Sequence, residues 1–178
     1  IALQRLGVVL CLDRAGLVGE DGATHQGAFD MASLRCIPDT VIAAPKDEIE
    51  LKRLLYTGTG IKDGPFVIRY PRGLGEGTGW RNATPEPLEI GKGEKITDGE
   101  EVAVLALGPV VNRAVEAAER LRKETGKGPA IFNVRFLKPF DPGIMEEAAR
   151  FKNILTLEDG CLKGGLFSEV SEYVASRG

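Results

Sequence analysis

Residues 13–27, reading Asp13-Arg-Ala-Gly-Leu-Val-Gly-Glu-Asp-Gly-Ala-Thr-His-Gln-Gly27, hold the densest group of chemically capable side chains in the sequence. The one histidine of the chain, His25, lies there among Asp21, Thr24 and Gln26. Imidazole titrates close to neutral pH, so it can work as a general acid or base without a special environment. The glycines at 16, 19, 22 and 27 allow the backbone to turn sharply and to come close to a ligand. A histidine in an arbitrary loop is more often simply solvated. This loop is not arbitrary, because it directly follows residues 7–13, an apolar run that reads as a buried strand. Ligands of parallel α/β sheets bind at the carboxyl ends of strands.

Arg14 and Arg72 form a second constellation, each just past the end of a predicted strand of one parallel sheet. Two converging guanidiniums would make a bidentate clamp for phosphate or carboxylate. Two ordinary surface arginines would show the same spacing, so both readings stand at this point. The run Gly73-x-Gly75-x-Gly77 has no helix pattern after it and no lysine followed by serine or threonine, so it reads as linker rather than nucleotide loop. Glu158-Asp159 precedes Gly164-Gly165 and a predicted helix. A helix N-terminus can hold an anion, but acidic neighbours repel one, so an acidic strand end and a glycine turn is the preferred reading. Residues 135–141 read as strand exit, turn and helix cap.

These residues need elements to position them. Short apolar runs at 7–13, 40–44 and 64–70 read as strands, with helices at 28–35 and 47–56 between them. Residues 74–90, rich in glycine and proline, read as a domain linker. Beyond it, strands at 101–107, 130–135 and 154–158 alternate with helices at 112–125, 142–151 and 165–176. Asp141 as N-cap with Pro142 at the first position marks a helix start. Strands alternating with helices imply right-handed crossovers, so the expected fold class is α/β, with a mainly parallel sheet flanked by helices in each of two domains, 1–80 and 81–178.

The bulk composition narrows the partners. A chain of 178 residues holds one ordinary domain or two small ones. Its net charge of −3 carries no footprint for nucleic acid or an anionic membrane, so any phosphate recognition must be local. No apolar run approaches the roughly 20 residues of a membrane span. The cysteines at 11, 36 and 161 are odd in number and lack zinc-ligand spacing, which suggests a reducing, cytoplasmic setting. The start at Ile1, without methionine or signal-peptide flanks, leads to the expectation of a carboxy-terminal piece of a larger enzyme.

Four motifs then bear comparison: the 13–25 segment, Leu34-Arg-Cys-Ile-Pro-Asp39, Ala44-Pro-Lys-Asp-Glu48 and Gly64-Pro-Phe-Val-Ile-Arg-Tyr-Pro-Arg-Gly73. With Asn133-Val-Arg-Phe-Leu-Lys-Pro-Phe-Asp141 and Leu157-Glu-Asp159, they resemble the 1-deoxy-D-xylulose-5-phosphate synthase family of transketolase-like enzymes over essentially the whole chain. The resemblance implies the end of a pyrimidine-binding domain followed by the transketolase carboxy-terminal domain. It implies decarboxylation of pyruvate and transfer of the two-carbon unit to D-glyceraldehyde 3-phosphate, in isoprenoid and thiamine precursor biosynthesis. His25 matches the family's active-site histidine. Arg14 and Arg72 match its acceptor-phosphate pair, and Asp21 matches an acid near the acceptor hydroxyls. Thiamine diphosphate and Mg2+ are the implied cofactors, and a homodimer is the implied assembly. The family's Gly-Asp-Gly motif is absent from this sequence. The cofactor-binding residues are therefore expected upstream of Ile1, no metal ligand is assigned here, and the piece is expected to be inactive without the remainder of the chain. A part or subunit of another transketolase-like enzyme, or a non-catalytic assembly domain, are the alternatives.

Overall fold

The structure is a computed structural model that describes residues 1–177. Its elements are β1 (Val8–Leu12), α1 (Asp30–Arg35), β2 (Val41–Ala43), α2 (Glu48–Thr59), β3 (Pro65–Arg69), β4 (Glu94–Thr97), β5 (Val102–Leu107), α3 (Val110–Thr125), β6 (Ala130–Asn133), β7 (Phe136–Lys138), α4 (Pro142–Ala148), β8 (Asn153–Glu158) and α5 (Leu166–Ala175). Local chemistry sets several of the boundaries. The Asp47 carboxylate accepts from the Glu50 N–H at 2.7 Å and opens α2. Asp141 accepts from Gly143 N at 2.8 Å and caps α4, with Pro142 in its first turn as the sequence predicts. Gly126 ends α3 in the left-handed region.

Two four-stranded sheets result, ordered β1-β3-β2-β7 and β4-β6-β5-β8. In the first, β3 pairs parallel with β1 and β2, and in the second, β5 pairs parallel with β6 and β8. Each sheet also carries one antiparallel edge strand, β7 against β2 and β4 against β6. The fold class is thus the expected one, α/β with two mainly parallel sheets flanked by helices.

The sequence reading misses β4 and β7. Residues 135–141 are not only an exit and a turn: Phe136–Lys138 forms the fourth strand of the first sheet, although it follows β6 of the second by only two residues. The chain crosses between sheets at Arg135, whose φ of 60° is a left-handed conformation that arginine rarely adopts and no sequence pattern announces. The crossing knits the halves together. One hydrophobic cluster contains Met31, Ile42 and Val67 from the first half and Leu105, Phe132, Leu137, Ile144 and Leu166 from the second. Around residues 74–90 the chain is mostly exposed, with one short 3-10 turn at Gly79–Arg81.

Candidate functional site

The carboxyl ends of β1 and β3 lie side by side, with Leu12 in register with Arg69. The 13–27 loop leaves from the first and Arg72 follows the second. Gly27 returns to the loop's own start, where its N–H donates to the Gly16 carbonyl at 2.9 Å and its carbonyl accepts from Gly16 N at 3.0 Å. A Cβ on Gly27 would lie 2.2 Å from the Arg14 carbonyl oxygen, so only glycine closes the loop at this spacing. Inside the loop, the Gln26 amide acts as a cross-brace, donating to the carbonyls of Val18 and Gly22 and accepting from Val18 N. The sequence reading named Gln26 only as a polar neighbour.

Asp21 ends a 3-10 turn and is the meeting point of the two arginines. Arg14 Nε donates to Asp21 Oδ2 at 2.7 Å, and Arg72 Nη1 donates to Asp21 Oδ1. Arg14 also donates to Asp13 at 2.6 Å and itself sits at φ 60°, a strained conformation of the kind that concentrates at functional sites. The hydrogen bond from Arg72, and then that from Arg14, lower the Asp21 carboxyl to about 2. A guanidinium has five N–H donors. Each arginine therefore keeps donors beyond those Asp21 accepts.

His25 is exposed, and its Nδ1 lies 3.0 Å from Thr24 Oγ1. With Asp13, Arg14, Gly27 and Asp30 it lines a shallow cleft of about 240 Å3. Arg14 and His25 thus share a cleft. Arg72 does not line it, and reaches the group through Asp21.

The residue that sequence reasoning passed over is Arg69, the last residue of β3. It is 2% exposed, and its Nε lies 2.9 and 2.8 Å from the two Asp30 oxygens. Its Nη2 donates to the Gly27 carbonyl at 2.6 Å and to the Asp159 carbonyl. A signal was available: an arginine within an apolar strand is buried only if its charge is paired. The 158–159 segment has a role different from ligand binding. Glu158 accepts from Leu166 N at 2.9 Å and Phe167 N at 3.2 Å, so the chain's own carboxylate fills the N-terminus of α5.

The fold and this site define an α/β protein whose loop at the carboxyl end of a parallel sheet presents a guanidinium and an imidazole to one cleft. Residues 1–77 match the transketolase pyrimidine binding domain and residues 91–178 the transketolase C-terminal domain. The chain belongs to the transketolase family. It is 51% identical over 98% of its length to a 1-deoxy-D-xylulose-5-phosphate synthase of Phocaeicola vulgatus, and 50% identical over 100% of its length to one of Parabacteroides distasonis. It spans 28% of the length of each of these relatives. Among solved structures, a split gene transketolase, an inactive β4 tetramer, is similar with a TM-score of 0.84 at 30% identity, over 99% of this chain and 56% of the other.

Proposed function

We propose that this chain is the carboxy-terminal part of a 1-deoxy-D-xylulose-5-phosphate synthase, with Arg14, Asp21, His25 and Arg72 forming the site for its phosphorylated acceptor. The observation that carries this reading is the convergence of Arg14 and Arg72 on Asp21 at the carboxyl edge of a parallel sheet, with Arg14 also lining the His25 cleft. The names of the relatives at about half identity support it. In this reaction pyruvate loses carbon dioxide, and its remaining two carbons join the aldehyde carbon of D-glyceraldehyde 3-phosphate. Arg72 and Arg14 bind the phosphate dianion through charge-assisted hydrogen bonds. Asp21, ionised at neutral pH, is no proton donor. It orients the arginines and accepts from acceptor hydroxyls. Carbon–carbon bond formation leaves an alkoxide on the former aldehyde oxygen, and His25 delivers the proton it requires.

Thiamine diphosphate, when bound, supplies the carbanion chemistry. Among the described residues no group of three or more His, Cys, Asp or Glu side chains is placed to hold a metal ion. The Gly-Asp-Gly motif is also absent from the sequence. The described residues do not fit a magnesium–diphosphate site, which we assign to the remainder of the complete protein. Homodimer assembly and a cytoplasmic setting belong to the same proposal. No helix among the described residues is long and apolar enough to cross a membrane.

The similarity to the split gene transketolase over almost the whole chain favours a second reading, a subunit of a transketolase encoded in two genes. Assaying the complete protein with pyruvate plus D-glyceraldehyde 3-phosphate, and in parallel with ketose phosphate and aldose phosphate pairs, separates the two. Turnover of the first pair supports the synthase, and turnover of only the second rejects it.

A further inference from the structure

We propose that Arg69 is a positioning residue for the His25 loop, and that through it the 158–160 turn of the carboxy-terminal half becomes part of the scaffold of the substrate site. The inference rests on the reading of His25 and Arg14 as substrate-facing.

Three groups from two stretches of chain meet on this one buried guanidinium. The first is the base of the loop, because the Gly27 carbonyl that accepts from Arg69 also accepts from Gly16 N. The second is Asp30, whose carboxylate Arg69 holds while Asp30 itself lines the cleft beside His25. The third comes from the other half of the molecule, since the Asp159 carbonyl accepts from Arg69. The contact is reinforced on both sides of that carbonyl. The Asp159 carboxylate packs against Gly16, where a Cβ would lie 1.8 Å from Oδ2, and a Cβ on Gly160 would lie 2.9 Å from Met31 Cε.

Only arginine has a planar fork able to donate to a carboxylate and two carbonyls in different directions, while a lysine ammonium is a point charge on a flexible stem. The 13–27 loop has few other anchors. Besides Arg69 and Asp159, it is held from outside by the Tyr70 carbonyl, which accepts from Ala15 N at 3.0 Å, and by Arg72 on Asp21, and from within by the Gly27–Gly16 pairing, the Gln26 brace and the Arg14–Asp21 ion pair. Loosening Arg69 therefore releases the loop base from the turn of the carboxy-terminal half without removing any group that faces the cleft centre.

His25 is the only histidine, so its ring protons give an isolated NMR signature of the loop. The test compares the chain with its Arg69→Lys and Asp30→Asn variants, following the His25 ring signals and the rate of proteolysis within residues 17–26. Arg69→Lys is expected to shift and broaden or split the His25 signals and to speed cleavage about tenfold, while unfolding stays cooperative. In the complete protein the same substitution is expected to lower kcat on the order of tenfold to hundredfold and to leave the KM for pyruvate within about twofold. A folded Arg69→Lys chain with unchanged His25 signals and unchanged cleavage overturns the proposal. If Arg69→Lys does not fold, Asp30→Asn, which keeps the shape and removes the partner charge, carries the same comparison. Loss of folding in both variants also overturns it, by making the cluster a requirement of the global fold. A loosened loop with unimpaired turnover supports the positioning role and rejects the substrate-facing role of His25.

Discussion

Asp21 is the residue whose state most constrains the chemistry of the loop. Hydrogen bonds from Arg72 and Arg14 bring its carboxyl from an ordinary 3.8 to about 2. A depressed carboxyl stabilises the folded loop above its unfolded value, and that stability fades as pH falls from about 4 through about 2. We predict that the side-chain carbon signal of Asp21 titrates near 2, and that Arg72→Ala moves the midpoint upward. A midpoint near 4 in the unmodified chain would show that the arginines do not engage the carboxylate. His25→Ala in the complete protein should depress kcat by on the order of a hundredfold, with a smaller change in the KM for D-glyceraldehyde 3-phosphate. A change confined to that KM would place His25 in binding instead. Arg14, His25 and Arg72 stood out as candidates in the sequence because charged and titratable types fell at strand ends, whereas Asp21 became a candidate only through the family resemblance. Arg69 was not, because a strand pattern shows position but not which strand residue carries three partners from distant segments.

At the scale of elements, the least legible feature was β7, and its cause is physical. Three residues suffice for it because β2 and α1 supply the partners: Lys138 Nζ donates to the carbonyls of Arg35 and Ile37 at the end of α1. Its placement depends on Arg135, whose Nε donates to Glu50 at 2.6 Å and whose Nη2 donates to Glu94 at 3.0 Å. Glu50 is 3% exposed and also accepts from Asn133 Nδ2 at 2.9 Å and from Lys46 N at 2.7 Å. This cluster joins α2 of the first half to β4 and β6 of the second. Removing one partner of a buried pair leaves an uncompensated charge, so Arg135→Ala should destabilise the chain by about 3–5 kcal/mol in denaturant unfolding. A loss below about 1 kcal/mol would mean that the pair is solvated. The sequence displayed Glu50 and Arg135 only as a helix residue and a strand end, 85 residues apart.

For the whole molecule, one hydrophobic cluster spans both sheets and the first sheet takes its edge strand β7 from the second half, so the halves that the sequence separates at residues 74–90 pack against each other. The alternation of apolar runs made both sheets legible, whereas their joining depends on long-range contacts that local patterns do not encode. The chain spans 28% of each of the two synthases compared, and among its described residues no group of three or more His, Cys, Asp or Glu side chains is placed to hold a metal ion. Purified by itself, it is predicted to form no deoxyxylulose phosphate from pyruvate and D-glyceraldehyde 3-phosphate, and product above the enzyme-free rate would refute that. The most direct test of the acceptor-site reading compares D-glyceraldehyde 3-phosphate with D-glyceraldehyde as acceptor, in the complete protein and in its Arg72→Ala variant. Charge-assisted hydrogen bonds contribute roughly 1.5–3 kcal/mol, so Arg72→Ala should cut kcat/KM for the phosphorylated acceptor by on the order of tenfold to hundredfold. The same change should leave the unphosphorylated acceptor, and the KM for pyruvate, nearly untouched. Equal losses for both acceptors would contradict the account, and would make Arg72 a support of the loop rather than the group that holds the phosphate.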